Sequence, residues 1–289
     1  SRLDGLKTVL QVMIICYNCI SELCNYSLDL SDEIYRQHGV SRKNPNHLDI
    51  SKLKDGDTIF VKTDFIVNGS FSRDFLPKIK TKFILVTGIS DYSIDINNNF
   101  KSILYNPNLI HWFACNPPSE DFDKISFLPI GFQEYERLGD NLELLKNNIN
   151  NDISWEDKLD KIYIPYHSLT NQSRQSVINE LSHYSFVEIE KTKLSFKDYL
   201  NKINQYKFVL SLRGNGWDCH RNYEILYSGS IPVMQEGPIS KSFHIEGIPH
   251  ITLTDINNEI FNKKFTIDKN ILFLSYWKSK IKDKISQSE

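Results

Sequence analysis

With 289 residues, 40% of them hydrophobic and 24% charged, the chain has the composition of a globular protein with one large or two ordinary domains. A net charge of −2 argues against a nucleic-acid-binding protein, which would carry a basic surface, but permits an anionic small molecule in a local cationic pocket. No apolar run is long enough to span a bilayer, so the sequence predicts a soluble, cytoplasmic protein without a transmembrane segment.

The first half of the chain alternates apolar runs with polar or glycine-containing segments. Strands are predicted at residues 8–16, 57–64, 82–88, 109–115 and 125–131. These runs are mostly apolar throughout, which is typical of parallel strands that are covered on both faces. The pattern therefore predicts an α/β domain with a mostly parallel sheet over residues 1–150.

A second α/β series follows a segment rich in Asn, Asp and Lys at residues 145–161, which we interpret as a linker region in which Trp155 is packed. Strands are predicted at residues 161–168, 186–190, 207–212, 230–234 and 249–254, and helices at residues 171–184, 195–206 and 270–285. The economical architecture is two Rossmann-like halves with a cleft between them. The second domain is expected over residues 151–269, followed by a C-terminal helix at 270–289 that returns to the N-terminal domain.

The cysteines do not form a metal-binding pattern. Cys16, Cys19 and Cys24 lie within nine residues, but a zinc site would need a further ligand at suitable spacing and no second cysteine pair exists. The pattern favours free thiols in a reducing compartment and predicts no bound metal.

The stretch LRGNGWDCHRNYE, residues 212–224, follows a predicted strand, at the edge where open α/β sheets bind ligands. Its two glycines allow a tight turn, and Asp218 is predicted to cap a helix that begins at residue 219 or 220. Arg213 and Arg221 add two cations to a helix N-terminus, an arrangement suited to a diphosphate, and Glu224 is placed to bind a ribose. The alternative is an ordinary intrahelical ion pair of Arg221 with Glu224, which His220 also approaches.

Residues 213–234, RGNGWDCHRNYEILYSGSIPVM, resemble the signature of the exostosin-like glycosyltransferases, in which a Gly-rich loop, Arg, Glu and a Gly-Ser-Ile-Pro-Val strand follow in that order. Residues 163–174 and 195–211 extend the resemblance upstream, and it covers residues 161–238 most strongly. The resemblance implies the two-domain GT-B fold and an inverting transfer of a sugar from a UDP-sugar, with UDP-xylose as the leading donor. It also implies a glycan hydroxyl as acceptor, and neither a metal nor another cofactor.

The resemblance also implies roles for individual residues. Arg221 would contact the donor diphosphate and Glu224 its ribose. Residues expected around the same donor site are Arg213, Gly214, Asn215, Gly216, Asp218, His220, Ser168, Thr170, Asn171 and Arg174. Cys219 stands where the family has a small hydroxyl residue, so the phosphate contacts at that position differ.

An inverting transfer needs a base near the acceptor hydroxyl, and a carboxylate of the N-terminal domain is the natural choice. Asp91 and Asp64 each follow a predicted strand, and Asp91 is the preferred base. Either could instead be a turn or capping residue. His111 and Asn116 are expected on the acceptor side, whereas Trp112, which lies within an apolar strand, is expected in the core.

Three other functions fit parts of the sequence. A metal-dependent GT-A enzyme would use an Asp-x-Asp motif, and residues 55–57 and 121–123 match it, although neither ends a strand. A nucleotide-binding or lectin-like module could keep the donor pocket without catalysis. A Rossmann oxidoreductase is disfavoured because no G-x-G-x-x-G follows the first strand.

Overall fold

The computed structural model describes residues 14–16, 19–29, 47–133, 138–139, 141–148, 153–168 and 170–287. The chain divides into two compact units, Ser1–Glu136 with Phe273–Glu289, and Arg137–Leu272. Each unit contains a five-stranded sheet in which every pair of neighbouring strands is parallel. The predicted α/β class with two parallel sheets is confirmed.

Within these ranges the strands are β1 (Tyr26–Leu28), β2 (Asp57–Lys62), β3 (Phe83–Gly88), β4 (Leu109–Ala114), β5 (Ile125–Phe127), β6 (Leu159–Ile164), β7 (Val187–Ile189), β8 (Tyr206–Leu210), β9 (Ile231–Met234) and β10 (Ile251–Thr252). The α-helices are α1 (Thr63–Val67), α2 (Asn98–Leu104), α3 (Asn141–Asn148), α4 (Ser173–Leu181), α5 (Phe196–Ile203), α6 (His220–Tyr227), α7 (Pro238–Ile245) and α8 (Leu274–Ser286). None of the described helices combines the length and apolarity needed to cross a bilayer.

The sheet of the first unit has the order β1-β2-β3-β4-β5, so its strands follow one another across the sheet. All residues of β3 are buried, as expected for a central parallel strand. Trp112 of β4 is fully buried and donates a hydrogen bond from Nε1 to Thr87 Oγ1 at 2.9 Å, which confirms its place in the core. The predicted strand at residues 8–16 lies mostly outside the described residues.

Helix α8 belongs to this first unit. Its Trp277 is buried and meets the ring of Phe127 edge-on, with the ring centroids 6.1 Å apart. The C-terminal helix therefore covers part of the sheet that the first half of the chain forms.

The sheet of the second unit has the order β10-β9-β8-β6-β7. Along the chain, β6 is followed by β7 on one side of it and then by β8 on its other side. The order reverses between β6 and β8, and such a switch point opens a crevice at the carboxyl ends of the strands. This unit therefore has one topologically defined place for a ligand, between β6 and β8.

The segment interpreted as a linker is partly structured, because it contains the end of α3 and one aromatic anchor. Trp155 meets Phe208 of β8 edge-on at 5.8 Å and lies 5.7 Å from Phe265. Its predicted packing is confirmed.

Cys16 and Cys19 are paired as a disulfide, whereas Cys24, Cys115 and Cys219 are free. The expectation of free thiols is therefore wrong for the first pair, which are three residues apart and meet at the start of a short 3-10 helix, Cys19–Leu23.

Glu188 on the edge strand β7 holds three neighbouring side chains. It accepts a hydrogen bond from Tyr206 Oη at 2.6 Å and forms ion pairs with Lys202 at 3.1 Å and Lys161 at 3.2 Å. The Tyr206 hydroxyl and the two lysines together lower the pKa of Glu188 to about 2. This cluster ties β7 to β6 and β8.

Replacing Glu188 by Gln should lower the free energy of unfolding at pH 7, because the ion pairs of the carboxylate are lost. The loss should be only about 1 kcal/mol, since water screens the partly exposed carboxylate. Since the folded pKa lies below the ordinary value of 4.5, the carboxylate stabilises the unit above that pH. The difference between wild type and Glu188→Gln should therefore shrink between pH 4.5 and about 2 in urea unfolding. Glu180→Gln, an exposed position on α4, is the control, and an equal effect there would contradict this role.

Candidate functional site

The carboxyl ends of β6, β8 and β9 lie side by side and carry the polar residues of the second unit. The segments after these strands are joined by side chains: the backbone N–H of Arg213 donates to Gln235 Oε1 at 3.3 Å, and Gln235 Nε2 donates to Ser173 Oγ at 3.5 Å. Gln235 was not among the predicted site residues. The segments that carry the predicted donor-site residues thus follow the carboxyl ends of β6 and β8, on either side of the switch point.

Helix α6 begins at His220, and its N-cap residue is Cys219, which makes no side-chain capping bond. The prediction that Asp218 caps this helix is wrong. Asp218 lies one residue earlier and is buried, and its carboxylate accepts hydrogen bonds from the backbone N–H of Cys219, from Asn222 Nδ2 and from Tyr223 Oη. It anchors the loop to the first turns of α6 from inside.

Arg221 lies in the first turn of α6 and reaches back to the segment after β6. Its Nη2 donates to the carbonyl oxygen of Tyr166 at 3.0 Å, and its guanidinium lies 5.9 Å from the ring centre of Tyr199. Among the described residues no carboxylate lies within ion-pair distance of it. The alternative of an intrahelical ion pair with Glu224 is therefore wrong.

Glu224 is 7% exposed, and among the residues that the structure describes its carboxylate receives one hydrogen bond, from Tyr199 Oη at 2.9 Å. Burial and the neighbouring carboxylate raise the pKa of Tyr199, so its hydroxyl keeps its proton and donates. A carboxylate has about four acceptor sites, so Glu224 retains capacity for further hydroxyl donors. Tyr199, on α5, is a site residue that the sequence analysis missed.

Hydrogen bonds from Arg174 connect the segment after β6 to the segment after β8. It is 8% exposed and donates to the carbonyl oxygens of Ser168 at 2.7 Å, Arg213 at 2.9 Å and Leu212 at 3.1 Å. Asn171 Nδ2 adds a bond to the carbonyl oxygen of Gly214 at 3.1 Å. Arg174 and Asn171 therefore shape the site through the backbone.

Gly214 lies next to the hydrogen bonds that Arg174 and Asn171 make to the backbone. A Cβ atom at that position would lie 3.5 Å from Arg174 Nη2 and 4.0 Å from Thr170 Oγ1. The predicted residues of the two segments, Thr170 included, are thus neighbours.

Arg213 is stacked on an aromatic ring. Its guanidinium lies 4.1 Å from the ring centre of Trp217, and Nη2 donates to the carbonyl oxygen of Asn215 at 2.9 Å. The Nε of Arg213 is enclosed and has no hydrogen-bond partner in the described part of the chain. The ring of Trp217 also requires a glycine at 237, because a Cβ there would lie 2.4 Å from Trp217 Cζ3.

These three arginines share one property. Arg174, Arg213 and Arg221 donate to carbonyl oxygens, and none of them meets a carboxylate within the described ranges. Arg174 is buried, Arg213 and Arg221 are partly exposed, and the guanidinium fork of each matches phosphate and carboxylate groups. The arrangement is chemically complementary to a bound anion.

His167, between the carbonyl groups that Arg221 and Arg174 bind, is another site residue that the sequence analysis missed. Its Nδ1 lies 2.6 Å from the carbonyl oxygen of Pro165, and its Nε2 is enclosed without a partner among the described residues. Burial, together with the charges of Arg221 and Arg174, lowers the pKa of His167 to about 2, so the ring is neutral at physiological pH.

The two proposed bases lie at the carboxyl edge of the first sheet. Asp91 is exposed and follows β3 by three residues. Asp64 lies inside the first turn of α1 and forms an ion pair with Lys62 at 3.4 Å. The alternative in which Asp64 caps that helix is therefore wrong.

The same edge carries two strained backbone positions. Ile89 and Asn116 have φ angles of +55° and +49°, a conformation that a β-branched residue such as isoleucine rarely adopts. Asn116 is buried and donates from Nδ2 to the carbonyl oxygen of Ser90 at 3.4 Å. The loop that bears Asp91 is thus fixed to the end of β4, and strain of this kind often accompanies function.

His111 does not lie at this edge. It is a buried residue in the middle of β4, with Nε2 2.8 Å from Ser126 Oγ, and burial lowers its pKa to about 4. The structure separates it from Asn116, its predicted acceptor-side neighbour.

The Asp-x-Asp motif at residues 55–57 lies at the opposite, amino-terminal edge of the first sheet. Asp55 Oδ1 accepts from the backbone N–H of Lys82 at 2.7 Å and Asp57 Oδ2 from that of Lys54 at 2.8 Å. These carboxylates stabilise a turn before β2, which is a structural role.

No protein-family model and no curated protein matches the chain. A solved crystal structure of an alpha1,3-fucosyltransferase with GDP-fucose is similar to it, with 13% sequence identity and a TM-score of 0.36, covering 90% of this chain and 76% of that chain. The exostosin-like resemblance stays a prediction.

Asp218→Asn should reduce the free energy of unfolding by roughly 1.5–3 kcal/mol, because an amide cannot accept from all three donors that the buried carboxylate satisfies. A capping Asp would tolerate this change, since Asn also caps well. Chemical denaturation measures the loss, and the exposed Asp198→Asn on α5 serves as control. Wild-type stability in Asp218→Asn would contradict the anchoring role.

Proposed function

We propose that this protein is a glycosyltransferase that binds the diphosphate of a nucleotide sugar at the carboxyl edge of the second unit's sheet. The observation that carries the proposal is the group of three arginines at the switch point between β6 and β8, none of which meets a carboxylate among the described residues. The topology supports a ligand site at this edge, and the charge of the arginines favours an anion as its ligand.

In this proposal each part of the donor meets a suitable group. Arg221, at the start of α6, binds the diphosphate together with the helix N-terminus, and Arg213 neutralises it from the neighbouring loop. The carboxylate of Glu224 accepts from the ribose hydroxyls. The nucleotide is proposed to be UDP and the sugar xylose, on the exostosin-like resemblance of residues 213–234.

The proposed reaction is an inverting, metal-independent transfer. The acceptor hydroxyl oxygen forms a bond to C1 of the sugar while the bond between C1 and the β-phosphate oxygen breaks. The proton of the hydroxyl passes to a base, and the negative charge remains on the departing diphosphate. Arginines gathered at this edge stabilise this charge, which is a usual source of electrostatic catalysis.

Asp91 is the proposed base, with Asp64 as the alternative. Asp91 is supported by its exposure and by the pinned, strained loop that precedes it. Asp64 already pairs with Lys62 at 3.4 Å, so its carboxylate is engaged within the first unit.

Arg221→Ala should weaken the binding of UDP by roughly 1.5–3 kcal/mol, which is about 10- to 150-fold in the dissociation constant, because a hydrogen-bonded charge is lost. Isothermal titration calorimetry on the folded variant measures the change. Arg73→Ala is the matched control, since Arg73 is exposed and already paired with Asp74 at 2.8 Å. Unchanged affinity in Arg221→Ala would show that this residue only ties α6 to the Tyr166 carbonyl.

Asp91→Asn should leave donor affinity near the wild-type value and reduce transfer by about 10² to 10⁴, the usual effect of losing a general base. The assay follows glycosyl transfer to an acceptor, with Asp64→Asn measured in parallel. Loss of transfer in Asp64→Asn alone would move the base to that residue. If wild type binds the donor but no acceptor is glycosylated, the chain is a nucleotide-sugar-binding module.

A further inference from the structure

One buried group at the switch point has no role in the transfer described above. His167 is 7% exposed, and its Nε2 has neither solvent contact nor a hydrogen-bond partner among the described residues. A buried acceptor left without a hydrogen bond is unfavourable, so Nε2 calls for a partner that the described residues do not supply.

The hydrogen bonds of the ring decide what that partner must be. The carbonyl oxygen of Pro165 can only accept, so the proton of the neutral ring resides on Nδ1, 2.6 Å away. Nε2 therefore presents a lone pair, and it needs a hydrogen-bond donor. Because the pKa of His167 is low, Nε2 stays unprotonated near neutral pH.

This requirement excludes the diphosphate as the partner, because ionised phosphate oxygens are also acceptors. The donors of a nucleotide sugar are its hydroxyl groups and the N–H groups of its base. Glu224 is the group proposed for the ribose hydroxyls, which leaves the sugar hydroxyls as the donors next to the phosphates.

We propose that His167 selects the donor by accepting, through Nε2, a hydrogen bond from a hydroxyl of the transferred sugar. The inference rests on the proposed function and deepens it, because it names a specificity-determining residue for the sugar.

The hydrogen bonds of the backbone around His167 provide a way for the enclosed Nε2 to become accessible to the sugar. The carbonyl group before it, of Tyr166, is held by Arg221 at 3.0 Å, and the one after it, of Ser168, is held by Arg174 at 2.7 Å. Bonds from guanidinium to phosphate are stronger than those to a neutral carbonyl, so a bound diphosphate competes for Arg221. Release of the Tyr166 carbonyl lets this segment shift and expose Nε2 to the sugar.

Two substitutions distinguish the roles of the two ring nitrogen atoms. His167→Asn keeps an N–H donor at the place of Nδ1 and removes the acceptor, whereas His167→Gln places an amide oxygen at the position of Nε2. Thermal unfolding first establishes that both variants fold. Calorimetry then compares UDP with UDP-xylose and UDP-glucose, and GDP with GDP-fucose, in the wild type, in both variants and in His183→Asn, an exposed control.

His167→Asn should weaken the binding of the nucleotide sugar about tenfold and leave the nucleoside diphosphate unaffected, and His167→Gln should recover most of the loss. If His167→Asn loses affinity equally for the nucleoside diphosphate and for the nucleotide sugar, or loses affinity for neither, the inference is overturned while the proposed function stands. A Gln variant as weak as the Asn variant would also overturn it. If the wild type binds none of these compounds, the proposed function fails and this inference fails with it.

Discussion

The second unit depends on hydrogen bonds between arginine side chains and backbone carbonyl groups. Arg174 and Arg221 tie together the segments that follow β6 and β8, and Arg221 does so from the first turn of α6. Carbonyl oxygens satisfy the N–H groups of a guanidinium but leave its charge uncompensated. The loops are therefore ordered around positive charge before any ligand is bound.

The carboxylates near this charge are occupied elsewhere. Asp218 is buried beneath the loop, where its oxygens accept from the Cys219 backbone, Asn222 and Tyr223. Glu224 is held by Tyr199 from another helix. Both acids thus accept from neutral donors, and neither forms an ion pair with the arginines in the described part of the chain, so the carboxylate of Glu224 stays available for hydroxyl groups.

The sequence predicts the sheets well because buried parallel strands are continuous apolar runs, as in β3 and β4. It misses β1, since three residues are too few to show a pattern. Helical spacing correctly places Arg221 and Glu224 one turn apart, but their partners, Tyr166 and Tyr199, come from distant segments that only the fold brings near. The same limit explains Asp218 and His167, whose roles depend on burial and on long-range packing, which local sequence patterns do not encode.

Titration of the wild-type protein with UDP, and separately with GDP, in the presence of EDTA tests the anion site most directly. A site built from arginines that meet no carboxylate in the described ranges should bind a nucleoside diphosphate at one site per chain without a divalent metal, and the affinity should fall as salt is raised. No binding of either nucleotide, or binding that requires a divalent cation, would contradict this account of the site.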